Sequence, residues 1–129
     1  MGGDSEERIV SLSTGNEVLK ALRKLGYNAE KILIKDSYEK FLGKFLEQDL
    51  VFNALHGGKG EDGKIQQWMD NNKIKYTGSG PTSSSLCMDK ARSKDFATVM
   101  GIRTPEWQLL CNSNEEIKLQ FPFVVKPNS

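Results

Sequence analysis

The chain has 129 residues, of which 37% are hydrophobic and 27% charged, with 18 Lys+Arg against 17 Asp+Glu and a formal net charge of +1. That length holds one modest domain or pieces of two, and the balanced, interspersed charge lacks the clustered Lys/Arg with which proteins grip nucleic acid or anionic membranes. No apolar run approaches the roughly 20 residues needed to cross a bilayer, and residues 1–8, glycine-rich and acidic, are unlike a signal peptide.

Residues 2–5, Gly-Gly-Asp-Ser, form a glycine turn ahead of a helix. Asp4 with Glu7 three residues on fits a capping box, and Val18, Leu22 and Leu25 at i, i+4 and i+7 give that helix an apolar face. Gly26 is its natural stop. Lys31-Ile32-Leu33-Ile34 suits a buried strand, and Tyr38, Phe41, Leu42, Phe45 and Leu46 then recur at helical spacing.

Residues 50–55, Leu-Val-Phe-Asn-Ala-Leu, carry the strongest strand signal and run into the loop of residues 56–63, which has four glycines in eight residues. Ile65, Trp68 and Met69 mark a short amphipathic helix. Residues 75–78 read as a strand entering Gly78-Ser79-Gly80. A helix is expected over residues 83–100, burying Leu86, Phe96, Val99 and Met100, with Gly101 ending it. Strands over residues 107–110 and 121–126 flank a short polar helix over residues 114–119. Alternation of strands with helices predicts an α/β fold with a parallel sheet. The style of the sequence shifts near residues 88–105, which sets a domain boundary.

A parallel sheet of this kind ordinarily opens with a strand that delivers the chain to its first glycine turn. Here Met1 stands where that strand would end, and Ser129 follows directly on an apolar run. The expectation is a piece of a longer protein, lacking its first strand.

Cys87 and Cys111 have neither metal-ligand spacing nor the number for a disulfide scaffold, so a reducing, cytoplasmic setting is expected. P-loop, nucleophile-elbow, zinc-protease and dinucleotide fingerprints are absent. A glycine turn at a helix N-terminus suits an anion, or is simply a capped turn. Glu7 either caps the helix or binds a ligand amine, and Ser11 and Ser13 are similarly open between solvent and the preceding turn. His56, at the carboxyl edge of the best strand, is a candidate donor to a substrate carboxylate or a structural hydrogen-bonding group, and Glu61-Asp62 are candidates to cap the helix after the loop. Lys90 and Lys126 are surface lysines or phosphate ligands; Lys126 stands out because it ends an apolar strand.

Several motifs recur together: Gly2-Gly3-Asp4-Ser5-Glu6-Glu7-Arg8-Ile9-Val10-Ser11-Leu12, then Val51-Phe52-Asn53-Ala54-Leu55-His56-Gly57 with Gly60-Glu61-Asp62-Gly63. Tyr76-Thr77-Gly78-Ser79-Gly80, Met88-Asp89-Lys90 and Val124-Val125-Lys126-Pro127 follow. In order and approximate spacing they resemble the D-alanine-D-alanine ligases of the ATP-grasp superfamily, over essentially the whole chain.

The resemblance implies a Rossmann-like, substrate-binding N-terminal domain over residues 1–88, missing its first strand, and the truncated start of an ATP-grasp domain over residues 89–129. It implies an ATP-dependent carbon-nitrogen ligase of the cytoplasm that joins two D-alanines through an acyl phosphate for peptidoglycan precursors. Glu7 then matches the glutamate that holds the first D-alanine ammonium, a catalytic assignment, and His56 the histidine that positions that substrate. Lys90 and Lys126 match lysines on the ATP phosphates. The Mg²⁺ or Mn²⁺ ligands fall outside this chain, and the full-length relative is expected to be a homodimer without nucleic-acid or membrane partners. This chain alone is expected to be inactive. The competing expectations are a ligase for D-lactate or D-serine, a non-catalytic α/β binding module, and an inactive truncated product.

Overall fold

Five α-helices and two single 3₁₀ turns carry the regular structure among residues 1–128, the residues described by the computed structural model. Helix α1 spans Arg8–Lys24 and ends at Leu25 with Gly26 directly after it, as expected. Arg23 and Lys24 occupy its last turn, where cations oppose the negative end of the helix dipole. Its buried residues are Ser11 and Gly15, whereas Leu25 of the expected apolar stripe is 73% exposed. Close approach explains the difference, since a Cβ on Gly15 would lie 2.7 Å from the Met1 Cβ. No larger residue fits at position 15 without displacing Met1.

The expected Rossmann-like sheet reduces, among the described residues, to two isolated parallel bridges, Gly2 with Ile34 and Val51 with Tyr76. Gly3 N donates to Ile34 O at 2.9 Å and Ile34 N to Met1 O at 3.0 Å. Val51 N donates to Lys75 O at 2.8 Å, and Thr77 N to Val51 O at 3.0 Å. Each pair bonds around one residue and then stops, so the runs over residues 31–34, 50–55 and 75–78 are extended segments without the evenly repeated bonds of a ladder.

Of the apolar positions foreseen between these segments, Tyr38 and Phe45 join the core, Phe41 and Leu42 pack against it, and Leu46 is 58% exposed. Tyr38 precedes a 3₁₀ turn, Glu39–Phe41, which leads into α2, Leu42–Leu46; Phe45 points inward. Helix α3, Lys64–Asn71, buries Ile65 and Met69 as its pattern required. Ile34, Tyr38, Phe45, Leu55, Ile65, Met69 and Ile74 make one cluster, with Trp68 packed against it. The Trp68 ring meets Phe45 edge-on at 82° and Tyr38 at 56°, both with centroids 5.2 Å apart, which are favourable aromatic geometries.

The chain forms two compact units, Met1–Ser85 and a second from Leu86 onward. The single helix expected over residues 83–100 is two, α4 at Pro81–Met88 and α5 at Lys90–Val99. Asp89 breaks it: the residue is extended (φ −84°, ψ 105°), and its carboxylate accepts the Arg92 N–H at 3.0 Å, starting a new helix as a cap. Phe96, Val99 and Met100, expected to be buried, are 53%, 83% and 61% exposed.

Residues 107–110, 114–119 and 121–126 form neither the strands nor the helix their composition suggested. Gln108 instead donates to Glu116 O at 2.7 Å and accepts from Lys118 N at 2.8 Å, a side-chain clasp in place of a ladder. Val124 and Val125 are correspondingly exposed, so Lys126 does not end a buried strand. No helix among the described residues is long and apolar enough to cross a membrane.

Candidate functional site

The glycine turn and the loop of residues 56–63 meet at the end of the extended segment containing Ala54 and Leu55. Ser5 Oγ donates to His56 O at 2.6 Å, tying the two together. Gly3, Ser5, Tyr38, His56, Gly57 and Lys59 line a recess of about 20 Å³, enough for roughly one water molecule.

The expected capping box is not formed. Glu7 occupies the N-cap position of α1 but makes no side-chain bond to the helix, and the Asp4 carboxylate turns away to Lys59 Nζ at 3.1 Å. That hydrogen bond from Lys59 is the main cause holding the Asp4 carboxyl below the usual carboxylate range. With Asp4 engaged across the loop, Glu7 is left exposed.

Gly57 makes this arrangement sterically feasible. Its φ of +67° lies in the left-handed region, and an added Cβ would stand 3.3 Å from Ser5 Oγ and 3.5 Å from the Glu7 carboxyl carbon. The Glu7 carboxylate therefore lies over the backbone that follows His56.

Both ring nitrogens of His56 have partners. Its Nδ1 lies 3.2 Å from Glu61 Oε1, and Glu61 Oε2 accepts the Gly57 N–H at 3.1 Å. Its Nε2 lies 3.1 Å from Thr14 Oγ1. Glu61 and Asp62 were expected to cap the next helix; Gly63 takes the N-cap position, and only Asp62, just before it, reaches the first turn, its Oδ1 accepting the Lys64 N–H at 2.9 Å. Neither Thr14 nor the Glu61–His56 contact was foreseen. The usable signal was that a strand-end histidine preceded a carboxylate five positions on, close enough for the loop to fold back.

Ser11, left open by sequence, is fully buried: it accepts the Gly2 N–H at 2.8 Å and donates to Ala54 O at 2.6 Å. It fixes the glycine turn beside the segment that delivers His56.

The two candidate phosphate ligands lie in the second unit. Lys90 is the first residue of α5, and both its N–H and its ammonium donate to Asn128 O, at 3.0 and 3.2 Å. Asn128 also accepts the Ala91 N–H at 2.9 Å and donates to Asp89 at 3.0 Å. The Arg92 N–H, with Asn128 adding to it, keeps the Asp89 carboxyl below its ordinary range. Lys126 is exposed two residues before Asn128. Among the described residues no group of three His, Cys, Asp or Glu side chains converges to hold a metal ion.

Residues 37–79 match the family described as the N-terminus of D-ala D-ala ligase. Over 127 residues the chain is 40% identical to a D-alanine-D-alanine ligase of Fusobacterium nucleatum subsp. nucleatum, covering 98% of this chain and 43% of that protein. A crystal structure of the D-alanine-D-alanine ligase from Bacillus anthracis superposes with a TM-score of 0.74 at 40% identity, covering 84% of this chain and 35% of that one. The same enzyme complexed with ATP gives a TM-score of 0.72 at 37% identity, over 91% of this chain and 38% of that one. The chain thus spans less than half the length of the relatives it matches.

Proposed function

We infer, for a chain that is related along essentially its whole length to the D-alanine-D-alanine ligases, that the exposed surface beside the recess between the glycine turn and the His56 loop, flanked by Glu7 and His56, is where such a ligase seats its first D-alanine. The Glu7 carboxylate receives the substrate ammonium, and His56 positions the amino acid beside it. The observation that carries this reading is the freedom of Glu7: its carboxylate does not cap α1, and it stands over Gly57, next to His56. A charge-assisted hydrogen bond from an ammonium is the natural use of an exposed carboxylate held beside Gly57 and His56.

Lys90, bonded to Asn128, and Lys126, two positions before Asn128, are exposed in the same unit and are assigned to the ATP phosphates. ATP supplies the phosphoryl group that converts the first D-alanine carboxylate into an acyl phosphate, which the amine of the second D-alanine attacks. The carboxylates among the described residues do not converge into a metal centre, so the Mg²⁺ or Mn²⁺ of the ligase is assigned to residues outside them. The product class is a dipeptide precursor of peptidoglycan, made in the cytoplasm by a homodimeric enzyme. On this reading the 129 residues by themselves bind D-alanine without turning over ATP.

Calorimetric titration of the chain with D-alanine and with L-alanine tests the assignment. Saturable heat from the D-isomer at millimolar concentration, with little from the L-isomer, is expected. Equal heats, or none, would remove the Glu7–His56 surface as a D-alanine site. Phosphate release from ATP plus D-alanine by this chain would overturn the statement that it does not turn over ATP.

A further inference from the structure

We propose that Thr14 is a positioning residue for His56, donating its hydroxyl hydrogen to Nε2 and so completing a clamp that fixes the imidazole in its Nδ1–H tautomer. The proposal rests on the reading of His56 as a substrate-side residue and adds to it which hydrogen the ring carries and what holds it.

The chemistry of the two partners determines the tautomer. An ionised Glu61 carboxylate only accepts hydrogen bonds, so its 3.2 Å contact with Nδ1 places the ring hydrogen on Nδ1. In the neutral ring Nε2 is then a bare lone pair. The Thr14 hydroxyl, 3.1 Å away, both donates and accepts, and against that lone pair it donates.

The backbone around the ring is fixed by the same elements. Glu61 spans His56 Nδ1 and the Gly57 N–H through its two oxygens, and Ser5 Oγ holds the His56 carbonyl at 2.6 Å. Thr14 is also placed by register. Ser11 and Thr14 stand three residues apart on α1, a rise of about 4.5 Å; their partners Ala54 and His56 stand two apart on an extended segment, about 6.6 Å. The helix therefore sets one hydroxyl on the carbonyl of Ala54 and the next on the ring of His56.

His56 was considered as a donor to a substrate carboxylate, but in this arrangement the neutral ring has no free N–H. It presents Nε2 as an acceptor, occupied by Thr14 until a better donor, such as an ammonium, replaces it.

The chain contains a single histidine, so its ring nitrogens can be read in long-range ¹H–¹⁵N spectra without assignment. With the imidazole neutral, the expected pattern is a protonated Nδ1 and a pyridine-like Nε2. In Thr14→Val, which keeps the shape and removes the hydroxyl, Nε2 should move downfield as its donor is lost, while Nδ1 stays protonated. Thr14→Ser should restore the wild-type position, and superimposable backbone amides elsewhere would show that the fold is intact. A predominant Nε2–H tautomer in the wild type would overturn the proposal. So would a Thr14→Val ring indistinguishable from wild type. Should Thr14→Val fail to fold, the wild-type tautomer and the Thr14→Ser spectrum still decide. D-alanine added to the same sample separates the two readings: an unmoved ring with the tautomer as stated would count against the D-alanine site and leave the clamp standing.

Discussion

The hydroxyl of Ser11 donates to the carbonyl of Ala54 at 2.6 Å across 43 positions of sequence, while accepting the Gly2 N–H at 2.8 Å. Two backbone groups from separate segments thus depend on one fully buried side chain, which does locally what a continuous ladder would do.

Ser11→Ala should leave both groups without a partner in a place water does not reach. Each orphaned group costs about 1–3 kcal/mol, so the variant is expected to fall by several kcal/mol in urea unfolding. Ser13→Ala, on an exposed part of the same helix, should stay within about 0.5 kcal/mol. Similar midpoints for the two variants would contradict the bridging role of Ser11.

Two glycines should respond in opposite directions. A Cβ on Gly60 would lie 2.5 Å from the Leu55 Cβ in the core, so Gly60→Ala is expected to destabilise by about 1–3 kcal/mol through overpacking and to disturb the His56 loop. Gly43 lies within α2 with nothing near its missing Cβ, so Gly43→Ala should stabilise by about 0.4–1 kcal/mol. Thermal midpoints of the two variants check both signs.

The Asp4–Lys59 pair gives an acid-side dependence. Because the folded-state Asp4 carboxyl is held below its ordinary value, the pair contributes stability above that value, about pH 4, and loses it as the pH falls further. The groups are half exposed, 50% and 55%, so solvent screening limits the effect to about 0–1 kcal/mol. In Lys59→Met the Asp4 carboxyl should titrate closer to the ordinary range in carboxyl-detected NMR. An unchanged titration would assign the shift to the backbone of the turn.

Much of the first unit was legible because its signals are local. Gly26 ends α1, Ile65 and Met69 face inward from α3, and Tyr38 and Phe45 join them in the core, all by spacing alone. What sequence missed depends on distant partners. Asp4 and Glu7 have the spacing of a capping box, yet Lys59, 55 residues away, takes Asp4 and leaves Glu7 uncapped. Thr14 is an ordinary helix residue until His56 is brought to it. Residues 121–126 have strand composition but no partner strand among the described residues, so their apolar side chains stay exposed.

The most direct test of the D-alanine site compares the chain with its Glu7→Gln variant in calorimetric titration with D-alanine. Removing the charge while keeping the shape deletes a charge-assisted hydrogen bond, worth about 1.5–3 kcal/mol, so affinity should fall by at least roughly tenfold while the unfolding midpoint barely moves. Equal affinity in the two proteins would contradict the assignment of Glu7 to the substrate ammonium.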